Sequence, residues 1–546
     1  MKYVIVGGVA GGASFACRLR RLDEKAEIVI YEKTNFVSYA NCGLPYYVSS
    51  LINDKNKLTL QTPMSLKARF NIDVFVNREV ISIDKETKTI KVKDLLNDEI
   101  LTTNYDKLIL SPGAEAIKLT DNSKRIFELK TVEDSYRLKD FIANNNVKSA
   151  TIIGGGFIGL EILENLVEIN IKVTLLEGRD HVLANLDKEM ASFVHHELRE
   201  HGVNLKLNTL VTKIEETSDK VIVSSKEETF TSDILIQAVG VKPNSKLAID
   251  AKLDLDIKNT IKVNDNFNTS DKDIFAIGDV IALDSFLDNS RVNIPLAGIA
   301  NKEGRELASF LKLGTFNKVK PLGTSILKIF SLAAGSTGFN EEQLKLKKIN
   351  YDKVYLSPAN HATYYPGASL LTIKVLFNKE NYELLGAQIV GNSGVDKRID
   401  VLATAIRFKA KAYELTGLEL SYAPPFGSAK DPINMIGYLV ENLKNNLVKQ
   451  VFIENIPSLI KDDSYMIIDV RTSEEYHLGH IHTSINIPLD NLRERLNEID
   501  KTKKVCLICH SALRSYIGCR ILTQNGFDVC HLSGGYRLYS SYINDK

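Results

Sequence analysis

Twice in this chain a short apolar strand runs into a cluster of glycines, and the strand after it ends at a glutamate. The first unit is Tyr3-Val4-Ile5-Val6, then Gly7-Gly8-Val9-Ala10-Gly11-Gly12, then an apolar stretch closing on Arg18-Leu19-Arg20-Arg21. A strand, Glu27-Ile28-Val29-Ile30-Tyr31, follows and ends at Glu32, 20 residues after Gly12. The second unit is Ala150-Thr151-Ile152-Ile153, Gly154-Gly155-Gly156-Phe157-Ile158-Gly159, a helix from Leu160, and a strand to Leu176 ending at Glu177, 18 residues after Gly159. Glycines at these positions let the backbone turn and approach a pyrophosphate at the helix start, and a carboxylate at that distance meets both hydroxyls of a ribose. Gly7, Gly11, Gly12 and Glu32 are therefore candidates for one dinucleotide, and Gly154, Gly156, Gly159 and Glu177 for another. Val9 stands where the usual fingerprint has its middle glycine, which makes the first turn the weaker of the two. Two complete units together predict an α/β chain with two Rossmann-like dinucleotide-binding domains.

Glu177 favours NADH over NADPH, because a 2′-phosphate would meet a negative charge; Arg179 weakens that preference without reversing it. The stretch Thr269-Ser270-Asp271-Lys272-Asp273-Ile274-Phe275-Ala276-Ile277-Gly278-Asp279 resembles the flavin-ribityl motif of two-dinucleotide disulfide reductases, and Tyr105 to Ala114 resembles the strand that crosses between their nucleotide domains. The resemblance implies FAD with Asp279 on its ribityl chain, and a domain order of FAD (1–114), NADH (115–245) and a return to FAD (246–322).

Between these units lies Ser38-Tyr39-Ala40-Asn41-Cys42-Gly43-Leu44-Pro45-Tyr46-Tyr47, holding one cysteine with no cysteine partner nearby. In a flavoprotein such a thiol must exchange with a small external thiol rather than close an internal disulfide. The Asn41-Cys42-Gly43-Leu44-Pro45-Tyr46 core resembles that of coenzyme A-disulfide reductases and related NADH-dependent persulfide reductases. So do His361-Ala362-Thr363-Tyr364-Tyr365-Pro366-Gly367, Tyr422-Ala423-Pro424-Pro425-Phe426 and Lys430-Asp431-Pro432. The resemblance implies an α+β dimerisation domain over 323–440 and a homodimer in which Tyr364 and Tyr422 reach Cys42 of the partner subunit. Tyr365 is the alternative for the first position, since neighbours on a strand face opposite ways. Ser14, Arg18 and Arg21 match places that contact coenzyme A. Ser38 and Asn41 are candidates for its pantetheine thiol, and Arg69 and Lys430, with the two arginines, for its phosphates. Family contacts fall on Phe70 and Asn301 here, a departure from the pattern.

Residues 441–456 read as a polar connector, and 457–546 resemble an α/β rhodanese domain. The strand Lys504-Val505-Cys506-Leu507-Ile508 runs into Cys509-His510-Ser511-Ala512-Leu513-Arg514-Ser515 and a helix. A cysteine at a strand end and an arginine at the following helix start bring backbone N–H groups around the sulfur, which suits an anionic persulfide. Cys509 is thus the expected sulfur carrier, Arg514 its stabiliser, and His510 and Ser511 its rim. Asp469 and Arg471 are expected as a buried structural pair, Cys506 as a strand core residue, and Cys17 as core. Cys506 and Cys509 form one Cys-x-x-Cys with no second ligand pair, so no metal site is expected.

A formal net charge of +1 over 546 residues gives no sign of a nucleic-acid or membrane partner, and no apolar run reaches membrane-spanning length. Six cysteines, four in the last domain, do not form a secreted disulfide framework and suit a reducing cytoplasm. Together these readings predict an FAD-dependent, NADH-driven reductase of coenzyme A persulfide, coenzyme A disulfide or polysulfide, exchanging sulfane sulfur with its last domain. The competing readings are an NADH oxidase or peroxidase cycling Cys42 through sulfenic acid, and a non-enzymatic sulfur or redox sensor. Peroxidases of this branch carry a histidine in the first glycine turn, where this chain has Ala10.

Overall fold

The structure is a computed structural model and describes residues 1–121 and 123–545. The chain forms two compact units, Met1–Arg179 with Gly202–Leu322, and Asp180–His201 with Gly323–Lys546.

The first unit holds two five-stranded parallel sheets. In one, Ile274–Ala276, Lys107–Leu110, Lys2–Val6, Glu27–Tyr31 and Asp73–Phe75 pair in that order. In the other the order is Asn204–Lys206, Lys172–Leu176, Ser149–Ile153, Ile234–Gln237 and Ile126–Phe127. Strands covered on both faces read as continuous apolar runs, which is why Val4, Ile5, Leu108, Ile109 and Ile152 are all buried. The stretch Tyr105 to Ala114, expected to cross between the nucleotide domains, instead supplies the strand Lys107–Leu110 to the first sheet, and an antiparallel ribbon, Ala114–Ala116 with Val241–Pro243, follows it. Arg20, one of the three arginines that close the first glycine unit's apolar stretch, is only 4% exposed. Its guanidinium donates to the carbonyls of Asp23, Glu24, Ala26, Phe70 and Asn71, so it pins a helix end rather than a ligand.

The second unit contains an antiparallel sheet in the order Ser325–Ile329, Leu332–Gly338, Leu384–Gly391, Thr372–Asn378 and Tyr351–Leu356. It also contains a parallel sheet in the order Gln450–Val451, Val529–Leu532, Lys504–Ile508, Tyr465–Asp469 and Ile485–Asn486. Residues 441–456 are not simply a connector: the helix Pro432–Lys444 runs into them, and Gln450–Val451 is the edge strand of the parallel sheet. Residues 180–201, expected inside the NADH domain, group with this unit, although in sequence they connect the paired parallel strands Lys172–Leu176 and Asn204–Lys206. Their helix Lys188–Glu200 is held by buried polar contacts. The Lys374 ammonium lies 2.6 Å from Asp187, 2.5 Å from Glu189 and 2.5 Å from Glu341, while His195 and Arg199 each meet Asp545 at 2.6 Å. A buried ammonium with three carboxylates is satisfied only if all of them stay in place, so the network fixes this helix in register.

Candidate functional site

The two glycine turns repeat one geometry. Gly7 and Gly154 take φ of +92° and +105°, and a Cβ on Gly12 or Gly159 would lie 2.0 Å from the carbonyl oxygen of Gly7 or Gly154 respectively. No side chain fits there, so the helix starts close against the turn. The two glutamates repeat as well. Glu32 Oε2 accepts from Gly8 N–H at 2.8 Å and Oε1 from Thr34 N–H at 2.9 Å. Glu177 Oε2 accepts from Gly155 N–H at 2.6 Å and Oε1 from Arg179 N–H at 2.8 Å. Burial raises the Glu32 carboxyl above its usual range, and the Gly8 and Thr34 donors pull it back. A Cβ on Gly156 would meet no protein atom within 4 Å, leaving that face open to a ligand backbone or phosphate. A Cβ on Gly11 would lie 2.9 Å from Ser111 Oγ. These cradles, each with a carboxylate at its second strand end, fit a dinucleotide. Asp279 is largely desolvated, which raises its carboxyl against the pull of Lys130 at 3.7 Å, and its neighbour Gly278 donates N–H to Glu303.

Cys42 lies in the short helical turn Asn41–Gly43, just ahead of the helix Leu44–Val48, and is exposed. Its sulfur is nonetheless partly desolvated. That desolvation and the Glu161 carboxylate push the thiol up, while Lys130 pulls it down. Glu161 is itself raised to about 7 by burial and by Glu164.

Ser14, Arg18, Arg21 and Ser38, the residues matched to coenzyme A contacts or proposed beside its thiol, line a single cleft of about 310 Å³ together with Asn301 and Arg305. Ser14 Oγ donates to Asn301 Oδ1 at 2.5 Å. Arg18 Nε is buried without a hydrogen-bond partner among the described residues. An unpaired guanidinium N–H in a cleft with two further arginines is a donor set awaiting an anion. Arg305 was not singled out by sequence; its spacing of four from Asn301 on the helix Ala297–Leu313 was the available signal. Cys17, expected as core, is half-buried and lines this cleft. Arg69 is exposed on the helix Pro63–Phe70 and does not line the cleft.

In the second unit the hydroxyls of Tyr364 and Tyr422 share a hydrogen bond of 2.9 Å, and both residues are exposed, at 74% and 48%. Residues 361–367 form turns rather than the strand that the alternation argument assumed, and Tyr365 instead packs edge-on against His361 at 5.7 Å. Lys430 is exposed. Its neighbours are structural: Asp431 caps the helix Pro432–Lys444 through Ile433 N–H and pairs with buried Arg398 at 3.0 Å.

Cys509, the expected sulfur carrier, follows the strand Lys504–Ile508 and is fully buried, packed within the core of its sheet. The N–H groups of Tyr536 and Arg537 hold the carbonyls of Cys509 and His510 at 2.7 and 3.1 Å, and Ala512 takes φ of +73°, a costly angle for a residue with a Cβ. Arg514, expected on the sulfur, gives both terminal nitrogens to Glu475 at 2.6 and 2.7 Å. This ion pair holds the Glu475 carboxyl down to about 2. His510 and Ser511 are half-buried at the rim. Asp469 and Arg471 form the expected buried pair, at 2.6 Å, and Cys506 is core.

The fold and these cradles define a two-dinucleotide oxidoreductase with an appended small α/β domain. Residues 1–304 match the pyridine nucleotide-disulphide oxidoreductase family, 324–431 its dimerisation domain and 454–542 the rhodanese-like domain, and the chain belongs to that oxidoreductase family. The family implies FAD and a pyridine nucleotide. The chain is 38% identical over 446 residues to coenzyme A disulfide reductase of Staphylococcus haemolyticus, a match spanning 81% of this chain and all of that protein. It is similar to the crystal structure of reduced Bacillus anthracis CoADR-RHD, with TM-score 0.96 and 43% identity over 100% of this chain and 98% of that one. It is also similar to a NAD-dependent persulfide reductase from A. fulgidus, with TM-score 0.92 and 34% identity over 99% and 100% of the two chains. Among the described residues no helix is long and apolar enough to cross a membrane.

Proposed function

We propose that this protein is a homodimeric, cytoplasmic, NADH-driven flavoenzyme that reduces coenzyme A persulfide, coenzyme A disulfide or polysulfide, and that its last domain carries sulfane sulfur. The observation that carries the reading is the cleft. Arg18, Arg21 and Arg305 face one space with Ser14 and Asn301, and Ser38 brings to it the segment that holds Cys42 four residues on. Coenzyme A presents several phosphates at one end and a thiol at the other, which matches arginines followed by a reactive cysteine. Arg69 and Lys430 are further candidates for its phosphates, and Asn41 for its thiol end. When bound, FAD and NADH supply the two electrons of the reduction.

Cys42 as thiolate attacks the coenzyme A-side sulfur of a persulfide. A Cys42–S–S–CoA bond forms, the sulfane S–S bond breaks, and hydrosulfide leaves with the electron pair. Reduction of the mixed disulfide by two electrons frees coenzyme A and restores the thiolate. Tyr364 and Tyr422, already joined by a hydrogen bond and open to solvent, are suited to donate to a departing thiolate at Cys42 of the partner subunit. Cys509 accepts sulfane sulfur as a persulfide and returns it to a coenzyme A thiol, with Arg514 and its Glu475 partner setting the charge beside the loop. Glu177, with its carboxylate aimed at the glycine turn, favours NADH.

The test is anaerobic NADH consumption measured in parallel with coenzyme A persulfide, coenzyme A disulfide, polysulfide and peroxide. A sulfur substrate with kcat/KM at least about tenfold above peroxide is the expected outcome. Preference for peroxide or oxygen would move the assignment to the oxidase and peroxidase branch, and absence of turnover with all four would leave the sensor reading.

A further inference from the structure

The mechanism above uses the loop around Cys509 but not the polar groups packed beneath it. Ser515, in the first turn of the helix Leu513–Gln524, is fully buried, and its Oγ lies 3.4 Å from Cys509 Sγ. The same oxygen donates to the Ala512 carbonyl at 3.0 Å and lies 3.2 Å from Nδ1 of His531. His531 comes from the strand Val529–Leu532, in register between Leu507 and Gln450, and is 3% exposed. An imidazole inside a parallel sheet is an expensive choice where an apolar side chain would pack, and here its ring meets the hydroxyl that touches the reactive sulfur.

A hydroxyl has one proton and two lone pairs. With Cys509 as a thiol, the Ser515 proton goes to the Ala512 carbonyl and one lone pair accepts the S–H. The remaining lone pair faces His531, which must therefore carry its proton on Nδ1. We infer that His531 and Ser515 form a buried relay that stabilises Cys509 as a thiolate: His531 donates from Nδ1 to Ser515 Oγ, and Ser515 turns its proton from Ala512 to the sulfur when the thiol ionises. The thiol proton goes to solvent. Burial holds the His531 imidazole down to about 4, so it stays neutral near pH 7 and serves as a donor rather than as a base. Ser515 touches the reacting sulfur, and His531 is a positioning residue that acts through it.

The inference rests on the sulfur-carrying role proposed for Cys509 and names what supports that role. In loading from thiosulfate, the Cys509 thiolate attacks the outer sulfur, a Cys509–S bond forms, the S–S bond to the sulfonate breaks, and sulfite leaves with the bonding pair. In unloading, an acceptor thiolate attacks the outer persulfide sulfur and Cys509 departs as a thiolate. A hydrogen bond at Sγ favours the reactive form in the first step and the leaving group in the second. The other ionisable groups around the loop and the helices against it, Arg514, Glu475, Arg471, Arg537, His510 and Cys519, are the same in every variant below.

The experiment uses the full-length holoenzyme. Alkylation of the Cys509 peptide by iodoacetamide is followed against pH by mass spectrometry, and persulfide loading from thiosulfate is measured on the same samples. His531→Leu should move the pH midpoint of Cys509 alkylation up and slow loading near pH 7, by less than the about one unit and about tenfold expected of Ser515→Ala, which removes the hydrogen bond to the charged sulfur itself. His531→Asn, whose amide reaches the Nδ1 position, should restore most of both. A wild-type midpoint in folded His531→Leu would overturn the relay. If that variant does not fold, Ser515→Ala decides alone: it should shift the midpoint upward, and an unshifted midpoint overturns the relay. Failure of wild-type Cys509 to take sulfur from thiosulfate or any persulfide at any pH would instead remove the sulfur-carrying role, while the alkylation midpoints would still judge the relay.

Discussion

Cys42 and Cys509 are the two cysteines proposed for sulfur chemistry, and the chain treats them in opposite ways. Cys42 is exposed on a short turn, and the groups nearest to it, led by its own desolvation and then Glu161, push its thiol up. Cys509 is fully buried, with a hydroxyl on its sulfur and a histidine behind the hydroxyl. The first site leaves activation to whatever binds beside it. The second is assembled from its own domain's strands and helices. A thiol that must relay electrons gains from an environment that bound groups complete, whereas a thiol that only stores sulfur can be activated by fixed neighbours.

The strongest test exchanges the two centres. Cys42→Ser should keep the fold and FAD content, drop NADH-dependent reduction below about one part in a thousand, and leave persulfide loading on Cys509 intact. Cys509→Ser should do the reverse, losing thiosulfate-dependent loading while reduction of free coenzyme A disulfide survives. If Cys509→Ser also lost that reduction with fold and FAD content unchanged, the two centres would not be separate stations on one sulfur route.

The next effect concerns what completes Cys42. Tyr364→Phe or Tyr422→Phe should each slow sulfur reduction about tenfold or more while sparing flavin reduction by NADH, as separated by stopped-flow. A loss confined to flavin reduction would contradict the role given to this pair.

A third expectation exploits the self-sufficiency of the buried site. The folded His531 value of about 4 lies below the ordinary 6.5, so between those values the unfolded chain binds more protons than the folded one. The stability tied to the neutral ring is complete above pH 6.5 and is lost as pH falls toward 4, amounting to about 3 kcal/mol. Thermal melts from pH 7 to pH 4 should show this loss, and His531→Leu should flatten it. An equal slope in that variant would assign the acid sensitivity elsewhere.

The smallest effect sits at Cys42. Glu161→Gln removes a charge that opposes the thiolate, so the pH midpoint of Cys42 alkylation should fall, by less than about one unit, with Cys509 unaffected. An upward move would mean that Glu161 acts on Cys42 by packing rather than by charge.

How far each feature was legible follows from how local its cause is. Gly12 and Gly159 were readable because each is required by a carbonyl of its own turn, and Glu32 and Glu177 because their donors Gly8 and Gly155 belong to the same strand–turn–helix unit, whereas Gly7 and Gly154 are crowded by the distant carbonyls of Ser111 and Ala238. Cys42, Cys509, Tyr364 and Tyr422 stood out by their motifs, yet their surroundings did not. Arg305 shares a cleft with Ser14 from almost 300 residues away, and Ser515 meets His531 across a helix and a strand. Arg20 and Arg18 lie two residues apart on one helix and look alike in sequence, but one staples five carbonyls and the other keeps an unpaired N–H beside the cleft.

By itself the sequence determined the doubled dinucleotide fold, because backbone turns and strand periodicity are set by residues a few positions apart. Only the tertiary structure decided which unit owns residues 180–201, which arginines face the cleft, and what touches each thiol. Those outcomes depend on desolvation and on hydrogen bonds between distant segments, and neither exists until the segments have packed.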